Sequence, residues 1–196
     1  MKKVLFIDCC IRREHSRSKA LVDHFIGELQ KKEEYEIETL CLMDENLSYF
    51  SEGFFLQRER LLEQGNFDHP RFRYAHQFAA ADKIVIAAPF WDLSFPALLK
   101  VYIENLCVDG ITFHTDEQGL HGLCKADHMV YLTARGGIYK DSDMEQGSRY
   151  LEQMAGFFGI EKYDCVAAEG LDIGAWPVEE LMDQAKAQAT EVAKKF

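Results

Sequence analysis

Positive charge is scarce in this chain: 22 Lys and Arg stand against 33 Asp and Glu, for a formal net charge of -11. A surface of that sign repels a phosphate backbone or an anionic membrane, so no nucleic-acid partner is expected. Long apolar runs are also missing, and no stretch is long enough to span a bilayer. The N-terminal run MKKVLFIDCC breaks at Asp8 and is followed by Arg12, Arg13 and Glu14, so it reads as a buried strand rather than a secretion signal. A cytoplasmic location is expected. No CxxC pair occurs among Cys9, Cys10, Cys41, Cys107, Cys124 and Cys165, and reduced thiols are the default in a domain that needs no staples. His121, Cys124 and His128 supply only three ligands, with a strand expected to begin at His128, so no metal is expected. A GxGxxG fingerprint for a resident dinucleotide is absent.

What is present suits one globular domain over residues 1–196, with 47% apolar and 28% charged residues and enough length for a large core. Short apolar runs recur at Val4 to Ile7, Ile84 to Ala88, Met129 to Thr133 and Cys165 to Ala168, as strands buried on both faces require. Tyr35 to Leu42 alternates more, which places it nearer a sheet edge. Between them, helical spacing relates Leu21, Phe25 and Leu29, then Leu98, Tyr102 and Leu106, then Leu151, Met154 and Phe158. A last helix has Pro177 at its first position, with Leu181, Ala185, Ala189 and Val192 on one stripe. Residues 43–82 are less regular; their aromatics suit a pocket cap, a subunit contact or local core packing. Five βα units predict an α/β three-layer fold with a doubly wound, five-stranded parallel sheet in the flavodoxin-like order 2-1-3-4-5. The ligand crevice of such a sheet lies outside the carboxyl ends of its strands, where the winding reverses.

Three loops lead there. In the first, Cys9 to Ser18, backbone amides and the hydroxyls of Ser16 and Ser18 converge on a helix start, which suits either phosphate binding or simple capping. The second, Pro89-Phe90-Trp91-Asp92-Leu93, offers flat rings to an aromatic ligand, or packs them ordinarily. The third, Ala134-Arg135-Gly136-Gly137-Ile138-Tyr139, lets main-chain amides approach a ligand, or forms a plain turn.

Together these loops carry a resemblance. Ser16-Arg17-Ser18, the segment APFWDLSFPALLKVYIENLCVDGITF and the segment TARGGIYKD resemble the FMN-phosphate loop and two flavin loops of the FMN-dependent NADH-azoreductase and quinone-reductase family, over nearly the whole chain. The resemblance implies Cys10, Ser16, Arg17 and Ser18 at the phosphate and ribityl end, Pro89 to Leu93 at the isoalloxazine edge, and Ala134 to Gly137 at its pyrimidine side. It further implies a homodimer in which NADH or NADPH reduces FMN and leaves before two electrons pass to a quinone or azo compound in the same pocket. Amides of Gly136 and Gly137 facing the flavin would stabilise its reduced form.

Three residues depart from the family. Cys10 stands where serine is common, a weaker donor to phosphate. Asp92 replaces an asparagine, and a carboxylate facing the ring would oppose its reduction. Tyr139 replaces a histidine of bacterial members; its hydroxyl could serve an acceptor substrate, or the ring could simply pack. A flavodoxin-type one-electron carrier would share the fold and cofactor. A low-molecular-weight tyrosine phosphatase needs its cysteine six residues before an arginine, but those places hold His15 and Ser16, and no Asp-Pro pair is present.

Overall fold

The computed structural model describes residues 1–196. Five parallel strands form one sheet: β1 (Lys2–Asp8), β2 (Tyr35–Cys41), β3 (Lys83–Ala87), β6 (His128–Ala134) and β7 (Lys162–Ala168), in the order β2-β1-β3-β6-β7. Counted along the chain without the hairpin described below, this is the expected 2-1-3-4-5, with the alternating strand Tyr35–Cys41 at an edge.

Side chains along each strand alternate between two cores, as the period of two demands. Leu5, Ile7, Ile84, Ile86 and Tyr131 enter one core beneath α3 (Arg73–Ala80), α4 (Ala97–Leu106) and α5 (Gly147–Phe157). Val4, Phe6, Val85, Val130 and Leu132 enter the other beneath α1 (Arg17–Gln30) and α6 (Val178–Lys195). Helix α1 buries Leu21, Val22, Phe25 and Leu29, the spacing expected of it. In α6 the fully buried stripe is Met182, Ala185, Ala189 and Ala193, with Leu181 and Val192 on its flanks. Pro177 is the N-cap of that helix rather than its first residue.

The irregular segment holds α2 (Glu52–Glu63), which buries no residue, and α3. Its aromatics divide. Phe72 is buried with Ala75, Val108 and Ile111 in a small satellite core, whereas Tyr49, Phe55 and Phe67 remain on the surface. An antiparallel hairpin of β4 (Phe113–Asp116) and β5 (Gly119–Gly122) was not expected from the sequence. Its strands are short and largely exposed, so no burial pattern marks them. The hairpin lies against the end of α5, where a Cβ on Gly122 would come 2.0 Å from the amide nitrogen of Gly159. Only a residue without a side chain allows that approach.

At the amino end of the sheet, buried His128 bonds Asp164 through Nε2 (2.8 Å) and packs on the ring of Phe196, while its Nδ1 has no partner. Burial depresses the imidazole pKa below its ordinary 6.5, and the pull of Asp164 does not overcome that effect. An unfolded chain therefore binds a proton here more readily than the folded one. Stability from this site is complete above pH 6.5 and is lost as pH falls through the depressed folded value. Thermal unfolding followed across that window should show a shallower acid slope for His128→Gln than for wild type.

Candidate active site

The first loop leaves β1 at Asp8, whose Oδ1 accepts the amide of Cys10 at 2.8 Å. Cys10 itself has no exposed surface and joins the core with Val4, Phe6 and Leu21. Burial, reinforced by Asp8, pushes its thiol far above the ordinary range. It thus supports the loop from within the core. Arg13 then adopts a left-handed backbone (φ 50°) and forks onto Asp44 at 2.6 and 3.0 Å, tying the loop to the end of β2.

Both serine hydroxyls have structural tasks. Ser16 is the N-cap of α1, accepting the amide of Lys19 at 3.3 Å. Ser18 accepts the amide of Ala134 at 3.0 Å, a bond that joins the first loop to the third. The amides of Arg17 and Ser18, in the first turn of α1, donate to no group of the chain. Arg17 extends beside them, bonding Asp172 Oδ1 at 2.7 Å and the carbonyl of Leu171 at 3.2 Å.

In the second loop Trp91 and Ser94 exchange amide–carbonyl bonds of 3.1 and 2.8 Å around a two-residue turn. Asp92 and Leu93, at φ 50° and 65°, occupy its centre, the left-handed pair of a type I′ turn. Asp tolerates that conformation; a leucine there is strained. Such strain is characteristic of functional loops. The carbonyl of Leu93 accepts the amide of Gln146 at 3.0 Å, which docks the turn on the start of α5. The Asp92 and Leu93 amides have no partner, and the Asp92 carboxylate bonds nothing.

The third loop completes the crevice. Phe90 donates its amide to the carbonyl of Ala134 (3.3 Å), and its ring lies 4.6 Å from that of Tyr139. The amides of Gly136 and Gly137 are unpaired, and a Cβ on Gly137 would stand 2.9 Å from the Tyr139 ring. A Cβ on Gly136 would stand 2.4 Å from Asp172 Oδ2. The Tyr139 hydroxyl bonds no other residue. Arg135 departs from the expected arrangement: its side chain is buried between Glu145 (2.9 Å) and Glu169 (3.0 Å), leaving only its backbone on the crevice side.

The structure thus brings Arg17, Ser18, Phe90 to Leu93 and Gly136 to Tyr139 to the carboxyl edge of the sheet, and it buries the side chains of Cys10 and Arg135. Leu171, Asp172, Glu145 and Glu169 were not anticipated. Leu171, Asp172 and Glu169 belong to the loop after β7, a strand the switch-point rule does not single out. A cavity of about 670 Å³ lies elsewhere, beside β7 between α5 and α6, and meets the third loop at Arg135, Ile138 and Lys140.

A family described by its flavodoxin-like fold matches residues 2–193. An FMN-dependent NADH:quinone oxidoreductase 2 of Clostridium acetobutylicum is 42% identical over 201 residues, covering 100% of both chains. One from Clostridium perfringens is 39% identical, again over 100% of both. The crystal structure of an azoreductase from Bacillus anthracis superposes with a TM-score of 0.89 at 29% identity, covering 100% of each chain. That of an FMN-dependent NADH-azoreductase from the same species, in complex with FMN, gives a TM-score of 0.87 at 25% identity, covering 100% of this chain and 99% of that one.

The Ser18 to Ala134 bond predicts a measurable cost. Ser18→Ala leaves a part-buried amide without its acceptor and should lower stability by about 1–2 kcal/mol in urea unfolding.

Proposed function

Because this chain belongs to the flavodoxin-like family of FMN-dependent NADH:quinone oxidoreductases and azoreductases, we propose that it carries two electrons from NADH or NADPH to quinone or azo acceptors in a ping-pong cycle. It is an oxidoreductase, and FMN is its cofactor. The observation that carries the proposal is the set of unpaired amides at one crevice, those of Arg17, Ser18, Gly136 and Gly137. Donors with no protein partner at a helix start suit a phosphate, and donors in a glycine pair suit the polar edge of a flat ring. The crevice therefore fits FMN.

When bound, FMN supplies the electron-transfer chemistry, and the protein supplies binding, orientation and electrostatics. The free amides in the first turn of α1 would hold the phosphate, with the Arg17 guanidinium, paired to Asp172, beside them. The left-handed turn at Asp92 and Leu93 leaves both its amides without a partner, and Phe90 and Trp91 would border the ring edge. Gly136 and Gly137 would present preorganised donors where negative charge develops. Tyr139, packed on Phe90 with its hydroxyl unbonded, is positioned to donate a hydrogen bond or a proton to the acceptor.

Trp91, Leu93 and Ile138 expose apolar surface around the crevice, which suits alternating flat substrates and a homodimer contact across the pocket. No helix is long and apolar enough to cross a membrane.

Two measurements test the proposal. Titration of the protein with FMN should quench flavin fluorescence, and oxygen-free addition of NADH or NADPH should bleach the visible bands; failure of either step refutes it. Tyr139→Phe should leave FMN binding intact and lower kcat/KM for quinones by about tenfold. Unchanged kcat/KM across several quinones removes Tyr139 from the chemistry.

A further inference from the structure

Arg135 sits immediately before the glycine pair, yet its guanidinium turns away from the crevice. Its side chain is 4% exposed, and those of its partners Glu145 and Glu169 are 9% and 16% exposed. Each carboxylate does two jobs with one oxygen. Glu169 Oε1 accepts Nη1 of Arg135 and the backbone amide of Tyr139, at 3.0 and 2.9 Å. Glu145 Oε1 accepts Nη2 of Arg135 and the amide of Ser148 in the first turn of α5, at 2.9 and 2.8 Å. The guanidinium also lies 5.1 Å from the ring centroid of Phe90. One buried cluster therefore ties together the loops after β3, β6 and β7 and the start of α5.

Its charges do not cancel. One guanidinium faces two carboxylates, and the neighbouring Cys165 is kept a neutral thiol because burial pushes its pKa up to about 11. We propose that the Arg135–Glu145–Glu169 cluster is a positioning element that sets the Gly136–Gly137 loop, and that its net negative charge holds the reduction potential of bound FMN low. The inference rests on the reading that FMN lies over this loop. Reduction by the nicotinamide nucleotide moves two electrons and one proton to the ring and oxidises the nucleotide, so the ring region gains one negative charge. A like charge behind the adjoining loop, on side chains only 9% and 16% exposed, opposes that gain. Lys140, Asp141, Arg149 and Glu180 also line the neighbouring cavity, but they stand at its solvent side, where their fields are screened.

The test is the midpoint potential of bound FMN, by equilibration with reference dyes, together with its dissociation constant. Glu169→Gln keeps an acceptor for the Tyr139 amide and removes one charge. It should favour reduced over oxidised FMN by about tenfold more than wild type does, a positive shift of about 30 mV for a two-electron couple. Arg135→Lys keeps the charge but loses the two-pronged fork, and should weaken FMN about tenfold with little change in potential. Glu145→Gln, with a thermal melt of each variant, provides a second reading of the charge effect if Glu169→Gln fails to fold. An unmoved potential in folded glutamine variants overturns the electrostatic role while the FMN reading stands. Wild-type FMN affinity in Arg135→Lys overturns the positioning role. Absence of FMN binding by the wild-type protein overturns both this inference and the reading beneath it.

Discussion

Asp8 of β1 pairs with Ala87 of β3, and Ala87 with Leu132 of β6, so three parallel strands end at nearly one level. Everything at the crevice depends on that register. Each strand must release its chain into a loop there, and parallel winding forces each loop to climb toward a helix before the next strand begins. The main-chain groups at these exits lose their ladder partners together. Some are recaptured, as when Ser18 accepts the Ala134 amide across the top of β3. Those of Arg17, Ser18, Gly136 and Gly137 are not recaptured, and they are the polar lining available to a ligand.

Much of this was readable from residue order. Unbroken apolar runs such as Val4 to Ile7 and Met129 to Thr133 could only be strands buried on both faces, and the helices between them fixed the parallel winding. That alternation gave a doubly wound sheet, and the order 2-1-3-4-5 came with the flavodoxin-like reading of it. The hairpin at 113–122 was hidden because its strands bury almost nothing. At the site, the glycine pair and the aromatic loop stood out as candidates, each also readable as a plain turn or ordinary packing. Side-chain direction was not legible. Cys10 and Arg135 both stand in loops that reach the crevice, and both turn inward, Cys10 into the core and Arg135 between two glutamates that lie 10 and 34 residues away. Pairings at that separation leave no local pattern.

The departures from the family gain a physical meaning from the same geometry. A serine-to-cysteine exchange at position 10 would matter if the side chain touched phosphate; buried as it is, the thiol fills core volume. Asp92 stands in a left-handed turn, a conformation that asparagine and aspartate share as the best non-glycine occupants. The backbone thus accepts either residue, and the carboxylate projects into solvent without a partner.

Asp172 presses on Gly136 and grips Arg17, although it belongs to the loop that follows the outermost strand. One side of the crevice is therefore built from the loop after an edge strand, since β7 pairs on one side only. That loop is nonetheless laced to the third one, since the amides of Gly170, Leu171 and Asp172 donate to the carbonyls of Gly137, Arg135 and Gly136. An insertion or deletion within residues 169–172 would therefore be transmitted straight to the glycine pair, so the rim of the sheet and the crevice cannot vary independently of each other.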